Sequence, residues 1–289
     1  MSPRLLDPAE RVLVALDVES LAAATTLLER LHGVLSGCKI GNQLFTAAGP
    51  AAIEAARKRG YRVFLDLKFH DIPNTVAGAV REATRLGVFM LNVHAGGGLG
   101  MMRAAAEAAA RAAQEFGTKR PLCLGVTVLT SLDRRALEVE LGVTSTVPAH
   151  VLHLARLCRQ AGLDGCVASP REIGLLRLNL GRDWLIVTPG IRGSGAGVGP
   201  PREVGGLGAG VAPPREVGGL GGGVAPPREV GGLGGHLGAP QTSDDQVRTA
   251  TPAAAIRAGA DYLVVGRPIT GAPDPVAAAR AILEECAGV

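Results

Sequence analysis

The densest group of chemically capable side chains is the segment FLDLKFHDIPNTV, residues 64–76. Its first half is typical of a buried strand, and side chains alternate along a strand, so Asp66 and Lys68 share one face. Asp71 follows three residues later, just before Ile72 and Pro73, and proline favours a turn or a helix start. The pattern predicts a carboxylate and an ammonium side by side, with a second carboxylate on a loop.

Lysine is rare in this chain: only four of its thirty basic residues are lysines, and Lys39 and Lys68 both lie at the ends of predicted strands. Arginine stays protonated near neutral pH, whereas a lysine can be tuned to deliver a proton. Lysine at these two places therefore indicates proton transfer. The alternative is an internal ion pair with a structural role, although buried pairs are poor stabilisers compared with apolar packing.

Eight short apolar runs alternate with amphipathic helical patterns. The predicted strands are Val12–Asp17, Cys38–Gly41, Val63–Lys68, Met90–His94, Leu122–Val128, Gly165–Ser169, Leu185–Thr188 and Tyr262–Gly266. Their continuous apolar character favours an α/β fold, a closed (β/α)8 barrel of the TIM type, over an open sheet. In such barrels the chemistry collects at the carboxyl ends of the strands.

Residues 198–236 are three copies of a thirteen-residue Gly/Pro-rich unit, inserted after the seventh predicted strand. We predict one barrel domain over residues 1–289, interrupted by these repeats. Their composition cannot offset the entropy of ordering, so we expect a flexible insertion. Loop-closure entropy grows only logarithmically with length, and we expect the fold to tolerate it.

Composition excludes several classes of protein. The formal net charge is +4 with scattered basic residues and few aromatic ones, which argues against nucleic-acid binding. No apolar run is long enough to span a membrane, and we expect a cytoplasmic protein. The five cysteines include no C-x-x-C pair, which favours buried thiols over disulfides or a zinc site. His150 and His153 fit the solvated face of a helix better than a metal site.

Phosphate recognition has one clear candidate. The chain contains neither a P-loop nor a strict G-x-G-x-x-G motif, which argues against nucleoside triphosphate and dinucleotide binding. Gly266 and Arg267 instead lie at the carboxyl end of the last predicted strand, where barrels of this type commonly bind phosphate through backbone N–H groups.

Seven segments together resemble the bacterial orotidine 5′-phosphate decarboxylases. They are ALD (15–17), CKIG (38–41), DLKFHDIPNT (66–75), VTVLTS (126–131), TPGIR (188–192), DQVRTATP (245–252) and GADYLVVGRPIT (259–270). The resemblance implies conversion of orotidine 5′-monophosphate to uridine 5′-monophosphate, the last step of de novo pyrimidine nucleotide synthesis. It also implies a homodimer that uses neither metal nor organic cofactor.

The resemblance further implies roles for individual residues. Lys68 would protonate pyrimidine C6, flanked by Asp66 and Lys39, and Asp71 would reach the site of the partner subunit. The implied substrate-binding residues are Asp17, Lys39, Ile72, Thr75 (also from the partner subunit), Thr130, Arg192, Gln246, Gly266 and Arg267. His70 lies within the third of these segments and His94 ends the fourth predicted strand, and we interpret both as structural.

The sequence departs from the family at the insertion, which separates Arg192 from Gln246 by 54 positions where the family has a short mobile loop. Two alternatives remain open. One is a magnesium-dependent sugar-phosphate decarboxylase or synthase of the same superfamily, which would need further carboxylate ligands. The other is a non-catalytic barrel whose repeats form an interaction module.

Overall fold

The computed structural model describes residues 7–193 and 248–289, which form a closed barrel of eight parallel strands in sequential order. Strand β1 pairs with β2 on one side and with β8 on the other, which closes the barrel. The strands are β1 (Val12–Ala15), β2 (Gly37–Gly41), β3 (Arg62–Phe69), β4 (Met90–His94), β5 (Leu122–Val126), β6 (Gly165–Val167), β7 (Leu185–Thr188) and β8 (Tyr262–Val265). The predicted (β/α)8 fold is confirmed, with strand bounds within two residues of those expected.

Helices between the strands cover the outside of the barrel. The α-helices are α1 (Pro8–Arg11), α2 (Leu21–Leu31), α3 (Asn42–Ala48), α4 (Pro50–Lys58), α5 (Pro73–Arg85), α6 (Gly98–Phe116), α7 (Val147–Gln160), α8 (Ile173–Leu180), α9 (Pro252–Ala258), α10 (Arg267–Thr270) and α11 (Pro275–Ala287). Short 3-10 turns at Ala95–Gly97 and Pro170–Glu172 and a π-helical segment at Ala136–Glu140 lie in the loops after β4, β6 and β5.

Local sequence signals explain where these helices begin. The side chains of Ser20, Thr146, Thr251 and Asp274 accept hydrogen bonds from backbone N–H groups in the first turns of α2, α7, α9 and α11. Pro73 occupies the first position of α5, where its missing N–H costs nothing. This confirms that Asp71, just before α5, lies in a loop.

Strand alternation divides the core into two layers. The inner layer lies inside the barrel and contains Leu13, Ala15, Phe64, Met90, Leu124, Val187, Tyr262 and Val264. The outer layer lies between the strands and the helices and includes Val12, Val14, Val63 and Leu65. Asp17 follows the inward-facing Leu13 and Ala15 at the same spacing of two residues, and Asp66 follows the inward-facing Phe64 in the same way. Both carboxylates therefore face the mouth of the barrel, at the carboxyl ends of the strands.

All five cysteines are free and buried, as the composition predicts. Burial raises the pKa of Cys38, Cys123 and Cys166 to about 12, so these thiols stay protonated at neutral pH. Within the described ranges, no helix combines the length and the apolar character needed to cross a bilayer. The predicted flexible insertion, residues 198–236, lies outside the described residues.

Candidate active site

A chain of alternating charges lies at the mouth of the barrel. Lys39 Nζ is 2.9 Å from Asp17 Oδ1 and 3.3 Å from Asp66 Oδ2. The other oxygen of Asp66, Oδ1, lies 2.8 Å from Lys68 Nζ. Four of the side chains that the sequence nominates are thus joined in the order Asp17, Lys39, Asp66, Lys68.

Three neighbouring strands position this network. Ala15 pairs with Lys39 in the β1–β2 ladder, and Gly41 pairs with Asp66 in the β2–β3 ladder. A Cβ atom at position 41 would lie 2.7 Å from Lys39 Nζ and 3.2 Å from Asp17 Oδ1. Glycine at this position therefore leaves room for the lysine to extend between the two carboxylates.

The backbone at Lys68 departs from a regular strand. Lys68 has φ of 51°, and among the described residues it is the only non-glycine residue with positive φ. The β3–β4 register also shifts between Leu65 and Phe69. Such backbone conformations are strained and cluster at functional sites. Asp66 and Lys68 do share the barrel mouth, as alternation predicts, but the ladder around Lys68 is irregular.

Asn92 on β4 supports this strained segment, although it lies in none of the motifs that point to the site. Its Oδ1 accepts a hydrogen bond from the Lys68 backbone N–H at 2.8 Å, and its Nδ2 donates to Asp66 Oδ1 at 2.7 Å. The side chain is fully buried. The available signal was a polar residue in the interior of an apolar run, MLNVH, at an inward-facing position.

Burial differs along the network. The side chains of Lys39 and Asp66 are 9% and 12% exposed, whereas that of Lys68 is 31% exposed. Burial opposes the positive charge of Lys39, but the carboxylates of Asp66 and Asp17 outweigh this effect and raise the lysine pKa. Lys39 is therefore a fixed cation, and Lys68 is the ammonium group more accessible from the mouth.

Residues 71–75, which comprise the end of the loop and the first turn of α5, are all exposed, and Ile72 is 68% exposed. Asp71 Oδ1 accepts a hydrogen bond from the Ile72 backbone N–H at 2.6 Å. The contact of Asp71 is thus with its own loop, not with the lysine network of the same chain. Asp71, Ile72 and Thr75 remain predictions as site residues.

The candidate phosphate and base ligands lie on the loops after β5, β7 and β8. Gly266 and the exposed Arg267 begin α10, directly after β8. Arg192 and Thr130 are partly exposed on the loops after β7 and β5. These placements agree with a substrate site at the mouth, while Gln246 lies outside the described residues.

Two histidines lie beside Lys68. The rings of His70 and His94 are 5.3 Å apart between centroids. Burial, then the neighbouring His70 and Lys68, lowers the pKa of His94. The neutral form of His94 is therefore favoured at pH 7, and its structural interpretation stays a prediction.

We found no clustering of three or more potential metal-ligating His, Cys, Asp or Glu side chains in residues 7–193 and 248–289.

Comparison with known proteins gives concordant matches over nearly the whole chain. Residues 10–207 and 232–282 match the model of the orotidine 5′-phosphate decarboxylase / HUMPS family, and the unmatched residues between them fall within the repeats. Orotidine 5′-phosphate decarboxylase of Moorella thermoacetica is 47% identical over 276 residues, 96% of this chain and 92% of that protein. The enzyme of the same name from Syntrophotalea carbinolica is 44% identical, over 98% of this chain and 97% of the relative.

Solved structures agree with these sequence matches. The crystal structure of orotidine 5′-phosphate decarboxylase from Lactobacillus acidophilus superposes with a TM-score of 0.70 and 32% identity, covering 96% of this chain and 99% of that one. A crystal structure from Geobacillus kaustophilus, described as an uncharacterized conserved protein, gives the same TM-score at 31% identity, covering 95% of this chain and 99% of that one.

Proposed function

The chain belongs to the orotidine 5′-phosphate decarboxylase family and converts orotidine 5′-monophosphate to uridine 5′-monophosphate in pyrimidine biosynthesis, and we propose that Lys68 protonates the reacting carbon. The observation that carries this assignment is the network Lys39–Asp66–Lys68, in which Lys68 is the more exposed cation at the barrel mouth. Its strained backbone, fixed by Asn92, fits a group that must be held in one place.

The chemistry requires a cation at the pyrimidine C6 atom. When the bond between C6 and the carboxylate breaks, carbon dioxide leaves and the electron pair stays on C6, where the ring offers no delocalised sink. A fixed ammonium group stabilises that charge and is the nearest acid. One N–H bond of Lys68 then breaks as the C6–H bond forms, and solvent returns the proton to the lysine.

The carboxylate of Asp66 has a supporting role in this proposal. It lies between the two lysines and forms an ion pair with each, so it orients Lys68. Lys39 remains charged and keeps Asp66 in place. Asp17, at the outer end of the network, is assigned to the ribose hydroxyls.

The remaining substrate contacts are assigned by position. Arg192, Arg267 and the Gly266 N–H group would bind phosphate, remote from the reacting carbon, so that their binding energy helps to hold the ring in place. Thr130 would contact the pyrimidine edge, and Gln246 would bridge base and phosphate. The reaction is proposed to need neither metal nor organic cofactor.

A homodimer is part of the proposal. The segment from Asp71 in the loop to Thr75 in the first turn of α5 is exposed in the single chain, which suits residues that complete a neighbouring subunit's site. There Asp71 would lie near the substrate carboxylate and disfavour the bound ground state until carbon dioxide leaves.

The free cysteines fit a reducing compartment, and we assign the enzyme to the cytoplasm.

The test is the ultraviolet absorbance change of orotidine 5′-monophosphate mixed with the protein in excess chelator. We expect conversion by the wild type and a loss of at least about 10³-fold in kcat for Lys68→Ala, since both charge stabilisation and the proton are lost. Lys58→Ala, which removes an exposed lysine of α4, is the matched control and should retain full activity.

Two results would contradict the proposal. Full activity of Lys68→Ala would exclude Lys68 as the acid, and activity that disappears with chelator would contradict the cofactor-free reaction. If a folded wild type were inactive, a variant lacking residues 198–236 would distinguish an inhibitory insertion from an inactive barrel. We expect that deletion to change turnover less than about tenfold.

A further inference from the structure

Arg248 is a buried arginine at the mouth of the barrel to which the mechanism assigns no role. Its Nη1 donates to Glu172 Oε1 at 2.8 Å, and the two side chains are only 7% and 4% exposed. Its Nη2 donates to the backbone carbonyls of Leu129 at 3.0 Å and Val128 at 3.3 Å. One guanidinium group therefore connects three loops, those that follow β5, β6 and β7.

Two of these loops bear proposed substrate ligands. Leu129, whose carbonyl accepts from Arg248, directly precedes Thr130, which is assigned to the pyrimidine edge. Two residues after Arg248, the Ala250 carbonyl accepts from the Arg192 N–H at 2.9 Å, and the Ala250 N–H donates to the Gly190 carbonyl at 3.1 Å. The segment 248–250 thus joins the base-side loop to the phosphate-side arginine.

A contribution to stability does not by itself explain the buried Arg248–Glu172 ion pair. Buried ion pairs are often no better than apolar side chains of the same volume, because desolvation offsets their attraction. The planar fork of arginine, however, can hold a carboxylate and two carbonyls in one fixed arrangement, which a lysine cannot do. This geometry defines the relative positions of the loops it contacts.

We propose that Arg248, held by Glu172, is a positioning residue that sets the distance between Thr130 and Arg192. The inference rests on the proposed substrate contacts of these two residues. Segment 248–250 also pairs with residues 190–192, so these contacts join the described parts of the chain that precede and follow the insertion. Arg248 acts through the loops and does not itself touch the substrate.

The experiment compares Glu172→Met/Arg248→Met and Arg248→Lys with the wild type. The double substitution removes both charges, so no unpaired charge stays buried, and we expect a Tm close to that of the wild type. Arg248→Lys keeps the ion pair but loses the fork. For the double variant we expect KM to rise about tenfold and kcat to change less than about threefold, since the contacts affected are remote from C6. Arg248→Lys should show a smaller rise in KM.

The control is Arg177→Met, which removes an ion pair with Asp261 at the opposite end of the barrel. It should lower Tm and leave KM unchanged. A calorimetric titration with uridine 5′-monophosphate, whose Kd should rise in the same order, does not depend on turnover. A wild type that binds this product without decarboxylating the substrate would therefore refute the catalytic assignment but still test Arg248.

Three results would overturn the inference. These are wild-type KM and Kd in both Arg248 variants, a loss confined to kcat, and a rise in KM for Arg177→Met equal to that of the double variant. If the double variant did not fold, Arg248→Lys would decide, because its ion pair with Glu172 is retained.

Discussion

The two ends of the barrel use charged side chains in different ways. At the amino-terminal ends of the strands, Arg177 pairs with Asp261 and also donates to backbone carbonyls, including those of Gly259 and Gly181. Asp261 in turn accepts a hydrogen bond from the Ile186 backbone N–H. These charged side chains form hydrogen bonds with the backbone, and the hydrogen bonds hold the loops against the strands.

In the lysine network at the carboxyl-terminal ends, the charged side chains contact one another. Lys39 contacts Asp17 and Asp66, and the second oxygen of Asp66 contacts Lys68. The cations of this network are lysines, which can transfer a proton, whereas Arg177 at the other end cannot do so near neutral pH. Together with the strained backbone of Lys68, this contrast indicates that one end stabilises the fold and the other carries the reaction.

The largest effect should follow Asp66→Asn at the carboxyl-terminal end. The substitution keeps the shape of the side chain but removes the negative charge between two lysines, so Lys68 loses the partner that orients it. We expect kcat to fall about 10³-fold while the protein stays folded. Steady-state kinetics with circular dichroism measures both, and an unchanged kcat would remove the basis for the contrast between the two ends.

Asn92→Ala should have the next largest effect. It removes the hydrogen bond to the Lys68 N–H and the one to Asp66, and it leaves a buried donor unpaired. We expect kcat/KM to fall about 10- to 100-fold and the free energy of unfolding to fall by about 1–3 kcal/mol. Kinetics and urea unfolding test this, and a loss of stability at full activity would assign Asn92 to the fold alone.

Arg177→Met probes the amino-terminal end. The variant loses the Asp261 ion pair and the hydrogen bonds to backbone carbonyls, so we expect the free energy of unfolding to fall by about 1–3 kcal/mol. kcat should stay within about twofold of the wild type because the site lies at the other end. A large fall in kcat without a change in urea midpoint would contradict the division between the ends.

The smallest effect is on the pH dependence of stability. The pKa of His94 is lowered by burial and by the nearby His70 and Lys68, from a usual value of 6.5. As the pH drops below 6.5, His94 is therefore protonated in the unfolded chain before it is protonated in the folded protein. The free energy of unfolding accordingly falls as the pH drops through the folded-state pKa.

Thermal unfolding between pH 7.5 and pH 5.5 measures this effect. The Tm of the wild type should fall more over this interval than the Tm of His94→Gln, by a few degrees at most. Arg177→Met retains His94 and should keep the wild-type slope. Equal slopes in the wild type and His94→Gln would show that this histidine does not couple folding to pH.

Much of the fold follows from local patterns. Continuous apolar runs bounded by turn residues predict all eight strands, because parallel strands buried on both faces must be apolar throughout. Alternation then places Asp66 and Lys68 together at the mouth. Lysine is scarce, and of the four lysines only Lys39 and Lys68 lie at the ends of predicted strands. These inferences need only neighbours along the chain and the geometry of one strand.

The other parts of the site depend on contacts between distant segments. Asn92 meets Lys68 across the β3–β4 ladder, and Arg248 meets Glu172 and Leu129 only after the loops of three strands converge. The positive φ of Lys68 could not be predicted from the sequence either, since no local preference of lysine favours it. Short-range periodicity thus determined the positions of the strands and of the candidate charged residues. Packing in the folded barrel determined which side chains contact them, the register between β3 and β4, and the backbone strain at Lys68.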